Sequence, residues 1–356
     1  MFDIKNNPYF REKVKAVEVN DKSISQLLKE MTDTGFQGRK LGEVVDVWEK
    51  MVKDKETTIV MGYAGSLSTT GQWKIINWLI ENHYIDVLVS TGANISEDIV
   101  DAMGHPYWKG SHYINDADLL KYDINRYYDV FGSDVEYTEM IELTRDFILT
   151  LKENHPYSSR EFLYLFGKWL SKKNIKSIIT IAAENKVPIF CPAIVDSTYG
   201  DASLLAKAKG FHLVLDQAQD FREFMGLAGK VEDIGVIYIG GGVPKDFIQL
   251  MAVSSPYFKK DRKFEKRKGI LRESLGETFY PHKYAIQITT DSPQWGGLSG
   301  CTFEEAISWG KITKEERNRV ICYCDATIAL PIVTHALNER VKTKRQGKIF
   351  PEFFKE

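Results

Sequence analysis

Short apolar runs alternate along the chain with longer segments of helical periodicity. The runs that read as β-strands are residues 57–63, 85–90, 188–191, 212–215, 235–239, 284–288 and 320–323, and residues 72–82 read as a helix. This alternation is typical of β-α units on a parallel sheet. Because six or more strands alternate with helices, the pattern predicts an α/β fold with a doubly wound, mostly parallel sheet.

The same pattern divides the chain into three regions. Residues 57–340 carry the strand and helix alternation and are predicted to form one α/β domain. Residues 1–56 precede the first strand and are predicted to form a helical extension. Residues 341–356 are predicted to form a basic C-terminal tail.

Composition narrows the class of protein only slightly. The 356 residues are 43% hydrophobic and 27% charged, enough for a large core, and the net charge of -2 gives no general argument for nucleic-acid binding. The first residues lack the basic start and apolar run of a signal peptide. The apolar run 320–337 contains Asp325, Pro331 and His335, which favours a strand and a helix over a membrane span. We therefore expect a cytoplasmic protein with no membrane or nucleic-acid partner.

Neither the cysteines nor the basic segment predicts a specific chemistry. Cys322 and Cys324 stand two apart and could in principle hold a metal, but buried thiols are the favoured interpretation, and no metal site is assigned. Residues 259–268 hold seven basic side chains in ten. A solvated or partly disordered loop is favoured there over a docking site for nucleic acid or an acidic partner.

Glycines and carboxylates follow several of the predicted strands. These residues and their immediate neighbours are Gly62, Thr91, Gly92, Asp196, Gly240, Gly241, Gly242, Asp325 and Ala326. In a doubly wound sheet, ligands bind beyond the carboxyl ends of the strands, and glycine lets the backbone approach a pyrophosphate. Taken alone, such glycines are more often ordinary turns. Lys311, likewise, is a nucleophile only if its amine is unprotonated, and a lone lysine is usually solvated.

Several motifs together resemble one known family. The segment Glu-Glu-Ala-Ile-Ser-Trp-Gly-Lys-Ile at 304–312 closely resembles the signature of the deoxyhypusine synthase family, in which the lysine is the covalent nucleophile. Residues 192–201 resemble the family's Pro-Ala-x-x-Asp-x-x-x-Gly-Asp loop, and residues 240–245 its Gly-Gly-Gly-Val-x-Lys turn. The chain is identified as a member of this family from about residue 57 to about residue 340.

The resemblance implies a Rossmann-like NAD-binding fold and a set of site residues. Lys311 would be the nucleophile, and Asp201, Glu305 and Trp309 would contact spermidine. NAD would be bound by Gly65, Ser66, Thr91, Gly92, Asp196, Gly241, Gly242, Thr289, Asp325 and Ala326. The family assembles active sites at dimer interfaces within a homotetramer, which is the expectation here.

The resemblance also implies a reaction in four steps. Hydride passes to NAD from the carbon beside the secondary amine of spermidine, and attack of Lys311 on the resulting imine releases 1,3-diaminopropane. The aminobutyl imine on the lysine then passes to an acceptor amine, and the retained NADH reduces it. NAD is thus a recycled cofactor.

Two positions depart from the eukaryotic family pattern. Asp246 stands where those members have a histidine, and Leu298 where they have an aspartate that holds a substrate amine. Asp246 keeps the ability to accept a proton, so it is predicted to be catalytic beside Lys311. These departures resemble the bacterial branch, some of whose members make homospermidine, so putrescine is the preferred acceptor. A lysine of the hypusine-bearing translation factor is the alternative acceptor. A simple dehydrogenase and a non-catalytic polyamine-binding homologue also remain open.

Overall fold

The computed structural model of the protein describes residues 9–254, 269–275 and 277–354. Its strands are β1 (Thr57–Tyr63), β2 (Val87–Ser90), β3 (Trp108–Lys109), β4 (Ile124–Tyr127), β5 (Val130–Ser133), β6 (Pro156–Tyr157), β7 (Ile189–Phe190), β8 (Val214–Leu215), β9 (Asp233–Ile239), β10 (Ile270–Arg272), β11 (Glu277–Phe279), β12 (Tyr284–Thr289) and β13 (Arg319–Tyr323). Its helices are α1 (Ile24–Met31), α2 (Phe36–Lys53), α3 (Trp73–Glu81), α4 (Glu97–Ala102), α5 (Asp116–Leu120), α6 (Asp134–Ile148), α7 (Ser159–Ser171), α8 (Ile178–Asn185), α9 (Thr198–Ala208), α10 (Gln217–Leu227), α11 (Gly242–Val253), α12 (Phe303–Ser308) and α13 (Ala326–Arg340). The basic segment 259–268 lies outside the described residues.

Six parallel strands form the central sheet. Their order is β13-β12-β9-β1-β2-β7, and every neighbouring pair is parallel. The chain therefore winds outward from β1 in one direction through β2 and β7, and in the other through β9, β12 and β13. The direction reverses between β1 and β9, which is where doubly wound proteins form their ligand crevice. The predicted fold class is confirmed.

Six of the seven apolar runs lie in this sheet, and one does not. The run at 212–215 contributes β8, which pairs with β6 in a separate two-stranded sheet. The run contains a strand, as predicted, but this strand lies outside the central sheet, because a short apolar run does not specify which strand it pairs with. The antiparallel sheet β3-β5-β4 was not predicted at all, since its half-exposed strands lack a continuous apolar run.

Helices cover both faces of the central sheet. Along β1, Ile59 and Met61 face one hydrophobic cluster and Val60 the other. The first cluster includes residues of α2, α3, α7, α8 and α13, and the second includes residues of α10, α11 and α12. Strands buried on both faces need apolar side chains at every position, which explains the continuous apolar runs.

The helix before β1 and the segment after α13 both join these clusters. Trp48 and Met51 of α2 are fully buried against the sheet. Near the other end, the Arg345 guanidinium pairs with the buried Asp86 carboxylate at 2.8 Å, and Phe353 is buried in the second cluster. No helix among the described residues is both long and apolar enough to cross a membrane.

Candidate active site

A cleft of about 540 Å³ opens at the carboxyl ends of the central strands. It lies at the switch point, between the loops that follow β1 and β9. Its lining residues are Ala64, Gly65, Ser90, Thr91, Gly92, Ala193, Asp196, Gly240, Gly241, Gly242, Val243, Pro244, Thr289, Thr290, Asp291 and Ser299. Seven of the ten predicted cofactor residues are therefore in this cleft.

The glycine turn after β9 is shaped for a close backbone approach. Gly240 and Gly242 have φ angles of 73° and 55°, a region that glycine adopts without strain. A Cβ on Gly241 would stand 2.4 Å from the Cα of Ser299. α11 begins at Gly242, whose N–H donates to the Ser299 hydroxyl at 3.1 Å, and Pro244 has no N–H. Val243 therefore supplies the amide that the start of this helix can offer to a pyrophosphate at the cleft.

Two carboxylates and no basic side chain line the cleft. Asp196 follows β7, and Asp291 follows β12. A carboxylate at such a position can accept a hydrogen bond from a ribose hydroxyl. The residues present therefore fit a dinucleotide that carries free ribose hydroxyls. The sequence pattern did not single out Asp291, although it follows a predicted strand by only a few residues.

Three predicted cofactor residues do not line the cleft. Ser66 donates its hydroxyl to the Glu97 carboxylate at 2.6 Å. Asp325 is the N-cap of α13, where its carboxylate accepts from the Thr327 backbone N–H at 2.7 Å. Ala326 is the first residue of that helix. Their cofactor role stays a prediction.

Two adjacent carboxylates are buried beside the cleft. Burial raises the pKa of Glu97 to about 7 and that of Asp98 to about 7. Asp98 accepts from the backbone N–H of Ile178 at 2.5 Å, while its other oxygen has no hydrogen-bond partner. The sequence signal for this pair was present, since two acidic residues begin a helix shortly after β2.

Lys311 lies over the middle of α11. Its Nζ is 3.5 Å from Oδ1 of Asp246 and 3.4 Å from Oε1 of Gln249. Both contacts are long, as catalytic hydrogen bonds often are before substrate binds. Asp246 and Gln249 stand three residues apart, so they share one helix face. The motif predicted Lys311 and Asp246, but it did not indicate Gln249.

The turn before Lys311 requires glycine. Gly310 has a φ of 76°, and a Cβ there would approach the Phe279 ring to 2.7 Å. This turn ends α12 and directs the Lys311 side chain back toward α11, where only 12% of it is exposed. The local sequence Trp-Gly-Lys thus sets the direction of the Lys311 side chain.

The predicted substrate residues are divided between two places. The Trp309 ring is 61% exposed, with its centroid 5.6 Å from the Lys311 Nζ, and Glu305 lies on the same short helix α12. Asp201 lies instead on α9 and forms no hydrogen bond or ion pair with Lys311. Burial raises the pKa of Tyr137 on α6, and the Asp201 carboxylate adds to this rise, which puts Asp201 near α6.

A second lysine is buried near Lys311. Lys245 is fully buried, and its Nζ donates to the Cys301 carbonyl at 2.6 Å and to Oε1 of Gln287 at 3.0 Å. Burial lowers its pKa to about 8. The glycine-turn motif contains Lys245, but no role was predicted for this lysine.

Within the described ranges, no three His, Cys, Asp or Glu side chains are grouped in a way that could hold a metal ion.

The fold and the site together define a doubly wound α/β protein with a glycine-rich cleft at its switch point and a largely buried lysine, Lys311, close to it. A family model described as deoxyhypusine synthase matches residues 26–337. The chain belongs to the deoxyhypusine synthase family and is an enzyme of the transferase class.

Curated relatives extend over nearly the whole chain. "Probable deoxyhypusine synthase 2" of Archaeoglobus fulgidus is 46% identical and covers 86% of this chain and 95% of its own. The protein of the same name from Methanosarcina mazei is 42% identical, with 94% and 92% covered. The "Deoxyhypusine synthase-like protein" of Chlorobaculum tepidum is 34% identical, with 96% and 94% covered. These archaeal relatives are thus more similar to this chain than that bacterial one.

A solved structure shares the fold. The putative deoxyhypusine synthase from Entamoeba histolytica aligns with a TM-score of 0.61 at 18% sequence identity, covering 94% of this chain and all of that one. At this identity the match supports the fold alone. It agrees with the doubly wound architecture described above.

Proposed function

We propose that the protein transfers the 4-aminobutyl group of spermidine, through an imine on Lys311, to an acceptor amine in an NAD-dependent reaction. The observation that carries this proposal is the arrangement along α11. Gly242 at the start of this helix lines the cleft, and Asp246 and Gln249 in its next turns contact the Lys311 amine. Four helical residues span roughly 6 Å, so the nucleophile lies close to the cleft.

NAD, when bound, supplies the acceptance and return of a hydride. The chain would hold it with the glycine turn at residues 240–242, the N-terminus of α11, and the carboxylates of Asp196 and Asp291. On the side of the cleft formed by the loops after β1 and β2, the Thr91 hydroxyl donates to the Gly65 carbonyl at 2.8 Å and joins these two loops. A dinucleotide held by these groups would lie beside the part of α11 that contacts Lys311, which supports hydride exchange with a substrate bound there.

The residues around Lys311 suit imine chemistry on a polyamine. Attack by the amine requires loss of a proton, and the Asp246 carboxylate, 42% exposed, contacts the amine and can accept this proton. Glu305 adds negative charge for the ammonium groups of spermidine. The exposed Trp309 ring offers an apolar surface to the methylene chain and a π face to an ammonium.

The separation of Asp201 from Lys311 supports a site shared between two copies of the chain. Asp201 lies near α6, whereas Lys311, Trp309 and Glu305 lie around α11 and α12. Association of two chains would allow one spermidine to contact Asp201 of one copy and Lys311 of the other. We therefore propose a homotetramer with active sites at its dimer interfaces, as the family resemblance implies.

We infer that the acceptor is a free diamine, with putrescine giving homospermidine. Asp246 and Glu305 leave carboxylates for a second ammonium, while Leu298 brings an apolar side chain to the loop beside the cleft. Methanosarcina mazei has both a "Probable deoxyhypusine synthase 2" at 42% identity and a "Probable deoxyhypusine synthase 1" at 36%. Two forms in one organism are consistent with a division of acceptors.

A protein-lysine acceptor is the second candidate, favoured by the names of those relatives. The test offers both acceptors together: spermidine and NAD with putrescine and the translation factor precursor. Homospermidine without modified protein supports the diamine acceptor, and deoxyhypusine without homospermidine overturns it.

Borohydride trapping followed by peptide mass analysis should find the aminobutyl adduct on Lys311. Full transfer by Lys311→Ala would refute the lysine mechanism, and net accumulation of NADH would indicate a dehydrogenase.

A further inference from the structure

A second cavity of about 540 Å³ lies at the other edge of the central sheet, away from the candidate active site. Its lining combines Lys55 and the end of α2 with most of the segment 340–348. The Arg345 guanidinium in this lining contacts the carbonyl of Thr57, where β1 begins, and the carboxylate of Asp86, just before β2. Because the seven residues of β1 span roughly 20 Å, this basic cavity is separate from the cleft at the carboxyl ends of the strands.

The described lining of the basic cavity has six basic side chains and no carboxylate. They are Lys53, Lys55, Arg340, Lys342, Arg345 and Lys348. Carboxylates outside the lining pair with Lys53, Arg340 and Arg345. The other three, Lys55, Lys342 and Lys348, form no ion pair with a described residue. In a chain with a net charge of -2, three unpaired cations around one concavity are a local excess that an anion would neutralise.

The wall formed by the segment after α13 has a defined path. Residues 341–349 form neither helix nor strand. The Tyr84 hydroxyl donates to the Val341 carbonyl at 3.0 Å, and the backbone N–H of Arg345 donates to the Asn82 carbonyl at 3.1 Å. These contacts fix the segment against the sheet, so the cavity has its shape before any ligand binds, which lowers the entropic cost of binding.

The same segment has hydrogen-bond donors without acceptors. The backbone N–H groups of Thr343, Gln346 and Gly347 donate to no described group. The Thr343 hydroxyl and the Gln346 side-chain amide also form no hydrogen bond with a described residue. Together with the three unpaired ammonium groups, these neutral donors form the kind of set that binds the oxygens of phosphate groups.

We propose that the basic cavity binds the phosphate chain of a small molecule that carries a diphosphate or triphosphate group. Its volume is typical of small-molecule sites and exceeds the space that one phosphate needs. No aromatic side chain belongs to the described lining, so a nucleobase has no stacking partner there and the phosphates are the group recognised. This binding site goes beyond the proposed function and does not depend on the reaction at Lys311.

Calorimetry of the full chain with inorganic triphosphate, without NAD, spermidine or magnesium, tests this site. The cavity variant, Lys342→Gln with Lys348→Gln, removes two unpaired charges and should bind at least about tenfold more weakly than the wild type. The control variant, Lys172→Gln with Lys176→Gln, makes the same change of charge at exposed positions outside both cavities. At physiological ionic strength its affinity should stay within about twofold of the wild type, because distant charges are screened. Lys342→Arg with Lys348→Arg keeps both charges and should retain most of the affinity.

ATP distinguishes free phosphate chains from nucleotides as the source of this chemistry. The cavity variant should weaken the binding of inorganic triphosphate whether or not it also weakens the binding of ATP. If it weakens both, the cavity accepts nucleotides as well as free phosphate chains. If the site altered in this variant accepts ATP but not inorganic triphosphate, the nucleoside is required and the inference is overturned.

Three further results would overturn the inference. They are no binding of inorganic triphosphate to the wild type at millimolar concentrations, an unchanged affinity in the cavity variant, and an equal loss in the control variant. Circular dichroism of the unliganded proteins checks that each variant is folded. If the cavity variant does not fold, Lys55→Gln with Lys342→Gln replaces it, because both of these side chains are exposed. Absence of aminobutyl transfer would refute the proposed function without bearing on this site.

Discussion

The Nζ of Lys311 lies 3.5 Å from Oδ1 of Asp246, on the helix whose first residue lines the glycine-rich cleft. The first residues of α11 thus line the cleft, and residues in its following turns contact Lys311. Any shift of this helix would move both groups together. The first predictions test this relationship, and the later ones test the buried charges that stabilise the fold.

The Asp246 carboxylate should be needed for proton transfer at Lys311. Asp246→Asn keeps the side-chain shape but removes the proton acceptor, so single-turnover transfer should fall by about 10²- to 10⁴-fold. Asp246→His, which introduces the residue of eukaryotic family members, should recover much of that loss. NAD affinity should be unchanged in both variants. A transfer rate near that of the wild type in Asp246→Asn would assign the proton to another group.

Removal of the Asp196 carboxylate should weaken NAD binding. If Asp196 accepts a ribose hydroxyl, Asp196→Ala loses about 1–3 kcal/mol, or about ten- to a hundredfold in affinity by calorimetry. Asp216→Ala is the matched comparison, because the Asp216 carboxylate caps α10 outside the cleft lining. That variant should lose about 1 kcal/mol of unfolding free energy instead. Equal NAD affinities in wild type and Asp196→Ala would count against this cleft as the cofactor site.

The buried Glu97 should make stability depend on pH. Its pKa is raised by burial to about 7, so the folded protein binds a proton that the unfolded chain has released above about pH 4. Its contribution is therefore fully present below about pH 4 and lost as pH rises through 7. Glu97→Gln keeps an acceptor for the Ser66 hydroxyl without the titration. In urea unfolding at fixed protein concentration, the unfolding free energy of the variant minus that of the wild type should increase by on the order of 1–3 kcal/mol from pH 5 to pH 8.

The Asp86–Arg345 pair should be a major contributor to stability. Besides Arg345, Asp86 accepts from the backbone N–H groups of Ile59 and Lys348, each at 2.8 Å, so it joins β1 to the C-terminal segment. Arg345→Met leaves this carboxylate buried without its cation and should cost about 3–5 kcal/mol in chemical denaturation. Lys15→Met breaks an exposed pair with Asp33 and should leave the denaturation midpoint close to that of the wild type. Similar losses in the two variants would contradict the argument from burial.

The sequence by itself determined the fold class, because burial on both faces demands apolar residues at every position of a central strand. The run at 57–63 coincides with β1 for this reason. The motif around Lys311 and the glycines at 240–242 likewise encode local turns, which depend on neighbouring residues only. These features led to the prediction of Lys311 as the nucleophile and of seven residues that line the cleft.

Only the tertiary structure decided which distant groups meet. Lys311 contacts Asp246 and Gln249 across 65 and 62 residues of chain, and the Gln249 contact carries no local pattern. The same holds for the burial of Lys245 without an anion, and for Asp325, whose place after a strand resembles that of Asp196 but whose carboxylate caps a helix. Such contacts depend on how β9, β12 and α12 pack together.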